Sequence, residues 1–268
     1  MTKLLDLAIS AGATILAIYA DTIDVSRKGD GSPVTEADTR AEAIILKGLA
    51  EIAPDIPVVA EEAVAAGRIP APSARFFLVD PLDGTREFIS RNGEFTVNIG
   101  LIDNGAPVAG VVYAPALGEI FWGTAGEGAF GAHVVDGRIR RQTGMASCKA
   151  APKHLRAVAS RSHMSEETRA FIERLGVRDF ASAGSSLKFC KIAAGLADIY
   201  PRFGRTMEWD TAAADAVLRA AGGMVVTVNG APLVYGKRDQ AADSAFANPY
   251  FIAAGDREFL SSIRDQLH

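Results

Sequence analysis

An uninterrupted apolar run, Phe76-Phe77-Leu78-Val79, leads directly into the hexapeptide Asp80-Pro81-Leu82-Asp83-Gly84-Thr85. Four consecutive apolar residues before a turn-forming sequence are typical of a buried strand. Two acids that follow such a strand lie at the carboxyl edge of the sheet, where open α/β sheets place their ligand sites. Asp, Pro and Gly also form simple turns, so the hexapeptide by itself predicts either a ligand site or a turn.

Further acidic residues favour the ligand site. Glu61 and Glu62 follow a second apolar run at residues 56–60, and Asp210 precedes an alanine-rich stretch at residues 212–221. Crowded carboxylates repel one another unless a hard cation lies between them, and Mg²⁺ is the usual one. A cluster of four such acids would bind two or three Mg²⁺ ions: Glu61, Asp80, Asp83 and Asp210. Each acid also has a simpler interpretation, as the N-cap of a helix for Asp210 and as a solvated loop for Glu61 and Glu62.

Composition limits the class of protein. The chain has 268 residues, 49% of them hydrophobic and 22% charged, which is enough for one large core or two coupled subdomains. A net charge of −4 argues against a nucleic-acid polymer as partner but leaves room for a small anionic substrate. Cys148 and Cys190 are too few for a disulfide scaffold or a zinc cluster. With no signal-peptide pattern and no integral membrane segment, we expect a cytoplasmic protein whose association with the inner membrane, if any, is peripheral.

The first half of the chain predicts a sheet backed by two helices. Apolar residues recur at helical spacing over residues 4–19, and a second helix is predicted over residues 35–53. Strand patterns on either side of Asn104-Gly105 predict a hairpin. The polar, basic segment at residues 136–153 is the predicted boundary between subdomains.

The second half predicts another α/β layer, with helices over residues 165–175, 186–195 and 211–221 and a hairpin from residues 224–228 to 232–235. We therefore expect an N-terminal α+β subdomain, residues 1–135, that carries most metal ligands. A C-terminal α/β subdomain, residues 136–268, would carry Asp210 and further binding residues. The two would form one compact unit.

The acidic motifs resemble the signature of the lithium-sensitive, magnesium-dependent phosphomonoesterases, the superfamily of the inositol monophosphatases. The residues that carry this resemblance are Asp80 to Thr85, Glu61-Glu62 and Trp209-Asp210-Thr211-Ala212-Ala213. Further stretches are similar to the bacterial 3′(2′),5′-bisphosphate nucleotidase branch: Ser32-Pro33-Val34-Thr35-Glu36-Ala37-Asp38, Ser160-Arg161-Ser162-His163, Gly184-Ser185-Ser186-Leu187-Lys188-Phe189 and Tyr200-Pro201-Arg202-Phe203-Gly204. The resemblance implies an α+β fold, a layered α-β-α-β-α sandwich of the inositol monophosphatase or sugar phosphatase type.

The resemblance also implies roles for the residues around the hexapeptide. Glu61, Asp80 and Asp83, together with the backbone carbonyl of Leu82, would bind the first Mg²⁺, and Asp83 with Asp210 would bind the other. Catalytic roles fall to three residues: Asp38, Glu61 and Thr85. Thr85 would orient a water and Asp38 would accept the Thr85 proton, although Asp38 has the spacing of a capping box with Thr35 as well.

The resemblance also implies residues that recognise the substrate, most of them in the second half of the chain. The amides of Gly84 and Thr85 would receive the scissile phosphate, and Asp210 would also contact the substrate. Lys188 and Arg202 would hold a second phosphate, while Ser185 and Ser186 at a helix start would offer hydroxyls and amides to an anion. By pattern alone Lys188 and Arg202 would be ordinary surface cations. His163 is a further candidate for contact with the nucleotide.

The function that the resemblance implies is hydrolysis of adenosine 3′,5′-bisphosphate to AMP and phosphate. Its sulfated parent, 3′-phosphoadenylyl sulfate, is a second candidate substrate. Lithium would inhibit the enzyme. Its role would be to clear a by-product of sulfate assimilation. An inositol monophosphatase or broad-specificity sugar phosphatase is the nearest alternative, and a non-catalytic nucleotide sensor is another. The expected partner is a small bisphosphorylated nucleotide, and the expected state is a monomer or homodimer.

Overall fold

The computed structural model describes residues 1–21, 23–29, 31, 33–151, 154–159, 164–177 and 180–263. Within these ranges the helices, numbered in chain order, are α1 (Thr2–Tyr19), α2 (Glu36–Ile52), α3 (Glu61–Ala65), α4 (Thr85–Ile89), α5 (Glu166–Arg174), α6 (Leu187–Ala193), α7 (Glu208–Ala220) and α8 (Arg257–Ser262). The two helices predicted in the first half are confirmed as α1 and α2. The three predicted in the second half are confirmed as α5, α6 and α7.

The larger sheet has seven strands that follow one another in chain order, and its first pair is parallel while the other pairs are antiparallel. Its strands are β3 (Val58–Ala60), β4 (Arg75–Asp83), β5 (Thr96–Asp103), β6 (Ala106–Ala114), β7 (Glu119–Thr124), β8 (Gly128–Val135) and β9 (Arg138–Met145). The predicted hairpin is confirmed between β5 and β6. Asn104 and Gly105 at its turn have φ angles of 48° and 77°, as a tight two-residue turn requires.

A smaller sheet and a separate hairpin complete the strands. The smaller sheet contains β10 (Ala157–Ala159), β11 (Phe180–Ser182), β12 (Ile199–Arg202), β13 (Met224–Thr227) and β14 (Phe251–Ala254), and the hairpin pairs β1 (Val25–Arg27) with β2 (Pro33–Thr35). The spatial order in the smaller sheet is β11-β10-β12-β14-β13. The predicted hairpin between residues 224–228 and 232–235 forms only in part. The chain turns back on β13 through an antiparallel bridge between Val226 and Pro232, with hydrogen bonds from Thr227 N–H to the Ala231 carbonyl and from Leu233 N–H to the Val225 carbonyl, but residues 232–235 form no strand and β13 pairs along its length with β14. Proline has no N–H with which to extend a strand pairing.

The helices and sheets alternate in five layers. Helices α1 and α2 cover one face of the larger sheet, while α6 and α7 lie between the two sheets. Helices α5 and α8 cover the outer face of the smaller sheet through Phe171 and Phe259. The predicted α+β fold, an α-β-α-β-α sandwich, is confirmed.

The apolar run before the hexapeptide follows from this layering. Successive side chains of a strand point to opposite faces, and in β4 Leu78 packs toward α7 whereas Val79 packs toward α1 and α2. Both are fully buried, and burial of one such side chain stabilises the fold by about 1.5–3 kcal/mol. A strand covered by helices on both faces therefore cannot alternate polar with apolar residues.

The change from one sheet to the other lies between Met145 and Ala157, because β9 still pairs with β8. Most of β9 is exposed at the edge of the larger sheet, which explains why the predicted boundary segment at residues 136–153 is polar. Helix α7 packs in one cluster with residues of both sheets. The division into subdomains at residues 1–135 and 136–268 stays a prediction.

Helix α1 is the one helix within the described ranges that has the length and apolar composition to cross a membrane. Its inward residues, such as Leu7, Ala8 and Ile15, are buried in the cluster that contains α2 and the larger sheet. This packing is that of a core helix, in agreement with the amphipathic pattern of the sequence.

Three glycines on adjacent strands of the larger sheet allow α7 to approach the sheet closely. Gly100, Gly110 and Gly123 lie directly opposite one another on β5, β6 and β7. A Cβ added to Gly110 would lie 2.1 Å from the carbonyl oxygen of Ala213, and one added to Gly123 would lie 2.8 Å from the Cα of Val217. No side chain fits beneath the helix at these positions, so the three glycines set the distance between α7 and the sheet.

We expect Gly110→Ala to destabilise the protein by about 1–3 kcal/mol or more, because the new methyl group must push the backbone of α7 away. Urea unfolding followed by circular dichroism measures this change. Gly144→Ala in β9 is the matched control, since its added Cβ meets nothing within 4 Å. Equal stability of the two variants would contradict the packing constraint.

Candidate active site

A bulge at the end of β4 brings its two acids to one side of the strand. Asp80 pairs with Asn98 and Asp83 pairs with Thr96, so three steps along β4 face two along β5. In a regular strand, the side chains of residues three apart point to opposite faces of the sheet. The extra residue of the bulge lets the side chains of Asp80 and Asp83 point to the same face. Pro81 lies in the irregular part, where its missing N–H costs no ladder hydrogen bond.

The four predicted acidic ligands come together from three elements. Glu61 begins α3, Asp80 and Asp83 end β4, and Asp210 lies in the first turn of α7. Burial raises the pKa of Asp80 and of Asp210 well above the usual range, and the neighbouring carboxylates raise both further. Burial also raises the pKa of Asp83 to about 7, against the opposing effect of Lys188. The acids are thus close enough to repel one another, and the protein's own cations do not balance them.

This donor set fits a divalent cation. Each side-chain donor is a carboxylate oxygen, which Mg²⁺ prefers, and a bound cation would relieve the repulsion that raises the pKa values. Within the described ranges, no three Asp, Glu, His or Cys side chains already surround a single point as a metal cage. Three of the four acids contact protein groups: Lys28 Nζ lies 2.6 Å from Glu61 Oε1, the N–H of Leu82 donates to Asp80 Oδ1 at 3.0 Å, and the N–H of Met207 donates to Asp210 at 2.8 Å.

Lys28 is a site residue that the sequence analysis missed. Its ammonium lies between Glu61 and Glu62, at 2.6 and 2.5 Å. Burial alone would lower the pKa of Lys28, but the two carboxylates raise it above its usual range. Lys28 lies 33 residues before Glu61 in the chain, so no local spacing in the sequence indicates the contact.

Thr85 and Asp38 form the hydrogen bond that the resemblance implies. The Thr85 hydroxyl donates to Asp38 Oδ1 at 3.2 Å. The other carboxylate oxygen, Oδ2, accepts from the N–H of Thr35 at 2.8 Å and from its hydroxyl at 2.7 Å, which completes a capping box on α2. The capping box is confirmed, and the other carboxylate oxygen contacts Thr85, so the catalytic role of Asp38 stays a prediction that is compatible with the cap.

The turn after β4 brings backbone groups to the same place. Gly84 has a φ angle of 93°, a left-handed conformation that favours glycine, and a Cβ there would lie 2.2 Å from Ser185 Oγ. The carbonyl oxygen of Leu82, another predicted ligand, lies 3.5 Å from the Thr85 hydroxyl. The turn thus presents backbone atoms beside the acids, and the lack of a side chain at Gly84 leaves room for the Ser185 hydroxyl.

A cavity of about 280 Å³ joins these acids to cationic residues of the second half. The predicted site residues that line it are Glu61, Asp83, Gly84, Thr85, Ser185, Lys188, Arg202 and Asp210. Unpredicted residues also line it, among them Pro33, Arg86, Tyr200, Arg205 and Thr206. Asp38, Asp80, Leu82 and Ser186 are buried behind this lining.

The two predicted phosphate-binding cations reach the cavity in different ways. Lys188 is buried, and its ammonium donates to the carbonyls of Ala183 and Ser185 at 3.2 and 2.6 Å. Burial lowers the pKa of Lys188 to about 8, although Asp83 opposes this effect. Arg202 ends β12, and its guanidinium donates to the carbonyl of Arg205 at 3.1 Å. Lys188 thus supports its own loop as well as facing the cavity.

The structure corrects the prediction that the hydroxyls of Ser185 and Ser186 face an anion. The Ser185 hydroxyl lies within hydrogen-bonding distance of the carbonyls of Asp83 and Glu94, at 2.8 and 2.9 Å. Ser186 is only 1% exposed, and its hydroxyl bonds to side chains of β5 in the core. His163, the remaining candidate, lies outside the described residues.

The sequence pattern of the inositol monophosphatase family matches residues 1–258. The chain belongs to this family. Among curated members, the 3′(2′),5′-bisphosphate nucleotidase CysQ of Escherichia coli K12 is 44% identical over 253 residues, which are 94% of this chain and 98% of that protein. Membership of the inositol monophosphatase family implies a metal-dependent phosphatase, a hydrolase, and agrees with the acidic cluster and its donor chemistry.

Solved structures of the inositol monophosphatase family have the same fold. CysQ of Bacteroides thetaiotaomicron superimposes with a TM-score of 0.79 at 39% identity, covering 96% of this chain and 97% of that one. An inositol monophosphatase of Thermotoga maritima superimposes with a TM-score of 0.77 at 26% identity, covering 100% of this chain and 97% of that one. The sandwich is therefore common to members that are named for different substrates.

Proposed function

We propose that this chain is a 3′(2′),5′-bisphosphate nucleotidase, which removes the 3′-phosphate of adenosine 3′,5′-bisphosphate and gives AMP and phosphate. One observation carries the proposal: a single cavity is lined both by acids that suit metal ions and by Lys188 and Arg202. A substrate with two phosphates needs cations at two separate places. Relatives named for this activity match nearly the whole chain.

The cofactor in this proposal is two or three Mg²⁺ ions. Glu61, Asp80 and Asp83, with the carbonyl oxygen of Leu82, would hold the first, and Asp83 with Asp210 would hold the other. When bound, Mg²⁺ lowers the pKa of a coordinated water and neutralises charge that develops on the phosphate and the leaving oxygen.

The chain's own groups orient the reactants. The N–H groups of Gly84 and Thr85 would bind the scissile phosphate. Thr85 Oγ1 would accept a hydrogen bond from the attacking water, because its own proton already points at Asp38 Oδ1. As the water oxygen bonds to phosphorus and the bond to the 3′-oxygen breaks, one water proton would pass to Thr85 Oγ1 and the threonine proton to Asp38, while the departing 3′-oxygen would take a proton from solvent to give the 3′-hydroxyl of AMP.

The remaining predicted residues would recognise the nucleotide. Lys188 and Arg202 would hold the 5′-phosphate, since ammonium and guanidinium groups form strong hydrogen bonds to phosphate oxygens. Ser185 would contribute through backbone groups, and Asp210 would contact the ribose side of the substrate. His163 keeps its predicted role in nucleotide contact.

We further propose that lithium inhibits the enzyme, that 3′-phosphoadenylyl sulfate is a second substrate, and that the enzyme clears a by-product of sulfate assimilation. These properties follow from the family resemblance of the site motifs. The cytoplasmic location and the monomeric or homodimeric state stay predictions.

We expect Thr85→Val to lower kcat by about 10²–10⁴-fold with little change in KM, because it removes the hydroxyl that relays the proton. Thr85→Ser should retain most of the activity. The surface residue Thr39, whose hydroxyl bonds only within α2, provides the control Thr39→Val. Steady-state kinetics at saturating Mg²⁺ measures the effect, and a Thr85→Val enzyme with normal kcat would exclude the relay.

The test of the function is phosphate release, with Mg²⁺ and with or without lithium, from adenosine 3′,5′-bisphosphate and from inositol 1-phosphate. We expect a large preference in kcat/KM for the nucleotide, and loss of activity in lithium. A preference for inositol 1-phosphate would keep the metal site and overturn the roles given to Lys188 and Arg202. No hydrolysis of either substrate would refute the phosphatase proposal.

A further inference from the structure

Three polar side chains form a closed ring of hydrogen bonds in the core beside the acidic cluster. The hydroxyls of Thr96 and Ser186 lie 2.8 Å apart, the Ser186 hydroxyl donates to Asn98 Oδ1 at 2.7 Å, and Asn98 Nδ2 donates to Thr96 Oγ1 at 3.3 Å. Because Ser186 donates to Asn98, the Thr96 hydroxyl must donate to Ser186. Each member thus donates one bond and accepts one. Their side chains are 0–1% exposed.

The ring lies directly behind the metal-binding end of β4. Thr96 and Asn98 are the residues of β5 that pair with Asp83 and Asp80. The ring fixes the Ser186 side chain against β5. Ser186 directly follows Ser185, whose hydroxyl donates to the backbone carbonyl of Asp83, so the ring also holds the segment that contacts Asp83.

The neighbouring contacts hold Asp83 by its backbone. The Ser185 hydroxyl lies 2.8 Å from the carbonyl oxygen of Asp83. The Lys188 ammonium, one turn further along, donates to the Ser185 carbonyl at 2.6 Å. Asp83 and Lys188, which have separate tasks in the proposed function, are thus joined by residues 185–186.

Burying three polar side chains carries a free-energy cost, which their mutual hydrogen bonds offset. A buried hydroxyl or amide without a hydrogen-bond partner destabilises the fold by about 1–3 kcal/mol. Three apolar residues would fill the same space without that cost. A fully satisfied ring instead fixes one orientation of the groups attached to it. Groups that orient a metal ligand typically change metal affinity or activity by about 10–100-fold when they are removed.

We propose that Thr96, Asn98 and Ser186 are positioning residues for Asp83, which hold its carboxylate in the orientation that binds a divalent cation and couple it to the start of α6. This inference rests on the proposed function, because it takes Asp83 to be a metal ligand. None of the three side chains lines the cavity, so each acts through Asp83 and not on the substrate.

The test compares two substitutions at Thr96 that separate its hydroxyl from its shape. Thr96→Val keeps the shape and removes the hydroxyl, whereas Thr96→Ser keeps the hydroxyl and removes a methyl group. Mn²⁺ binding without substrate, followed by electron paramagnetic resonance of the free ion, is the first readout. The Mg²⁺ concentration for half-maximal phosphate release, and KM at saturating Mg²⁺, are the second.

We expect Thr96→Val to weaken Mn²⁺ binding by about 10-fold or more, with a matching rise in the Mg²⁺ requirement and a smaller change in KM. Thr96→Ser should bind Mn²⁺ as the unaltered protein does, even if its Tm is lower. Ser186→Ala should behave as Thr96→Val does, and its folding is checked by circular dichroism.

Normal Mn²⁺ affinity in Thr96→Val and in Ser186→Ala would overturn the inference. So would equal losses in Thr96→Val and Thr96→Ser, since those would report packing and not the hydrogen bond. Failure of the unaltered protein to bind Mn²⁺ is a different result, because it would refute the proposed metal site itself.

Discussion

Replacement of Asp83 by asparagine is expected to remove most turnover and yet to make the metal-free protein more stable. The carboxylate is surrounded by other acids, and burial raises its pKa to about 7. Loss of one electrostatic contact to the reacting group typically lowers kcat by about 10²–10³-fold, and a lost metal ligand should cost at least that much. Asparagine has the same shape without the charge, so the repulsion with the other acids disappears.

The gain in stability depends on pH in a definite direction. The pKa of Asp83 is 3.8 in its ordinary state and about 7 in the folded protein, so the folded state binds its proton more tightly. The unaltered metal-free protein therefore loses stability as the pH rises from about 4 to about 7. Because Asp83 partly faces the cavity, solvent screens the charge, and we expect Asp83→Asn to gain roughly 2 kcal/mol at pH 8, or about 5 °C in Tm.

Thermal unfolding in EDTA and in Mg²⁺ measures both effects. Mg²⁺ should raise the Tm of the unaltered protein and leave that of Asp83→Asn nearly unchanged. Asp55→Asn, at an exposed position, is the control and should show neither effect. An Asp83→Asn protein that is less stable in EDTA would show that the carboxylate has a compensated structural role.

Replacement of Arg202 by glutamine is expected to raise KM for adenosine 3′,5′-bisphosphate while that for inositol 1-phosphate changes little. A hydrogen bond to a charged group contributes about 1.5–3 kcal/mol, which corresponds to roughly 10–100-fold in affinity. Arg75→Gln, on an exposed pair with Asp103, is the matched control. Equal losses on both substrates would argue against a nucleotide substrate.

Replacement of Lys188 should give a different pattern. Its ammonium holds the carbonyls of Ala183 and Ser185, and Ser185 in turn contacts the backbone of Asp83. Lys188→Met is therefore expected to impair both substrates, with the larger loss on the nucleotide. The double variant Lys188→Ala with Arg202→Ala should raise KM for the bisphosphate far more than for the simple monophosphate.

The sequence was informative wherever function and local structure share a short stretch of chain. The strand before Asp80 and the helix that begins after Thr35 could be predicted from apolar runs and caps that lie within a few residues. The pairing of Thr85 with Asp38 spans 47 positions and came from the family resemblance, since no periodicity connects them.

Other parts of the site depend on contacts that no local pattern encodes. Lys28 follows β1, and its contact with Glu61 at the start of α3 joins positions 33 residues apart in the chain. The hydroxyl of Ser186 was expected at an anion site because serine at a helix start often binds one. Its actual partners, Thr96 and Asn98, lie on another strand and fix it in the core.

The glycines beneath α7 determine how substitutions at their positions would affect the activity of the protein. Helix α7 carries Asp210, whereas Asp80 and Asp83 belong to a strand of the sheet on which the helix rests. The absence of side chains at Gly100, Gly110 and Gly123 therefore sets the distance between the two parts of the proposed metal site. A variant at one of these three glycines that still folds would show altered kcat or KM, as a substitution in the active site does. The altered residue itself would contact neither the metal nor the substrate.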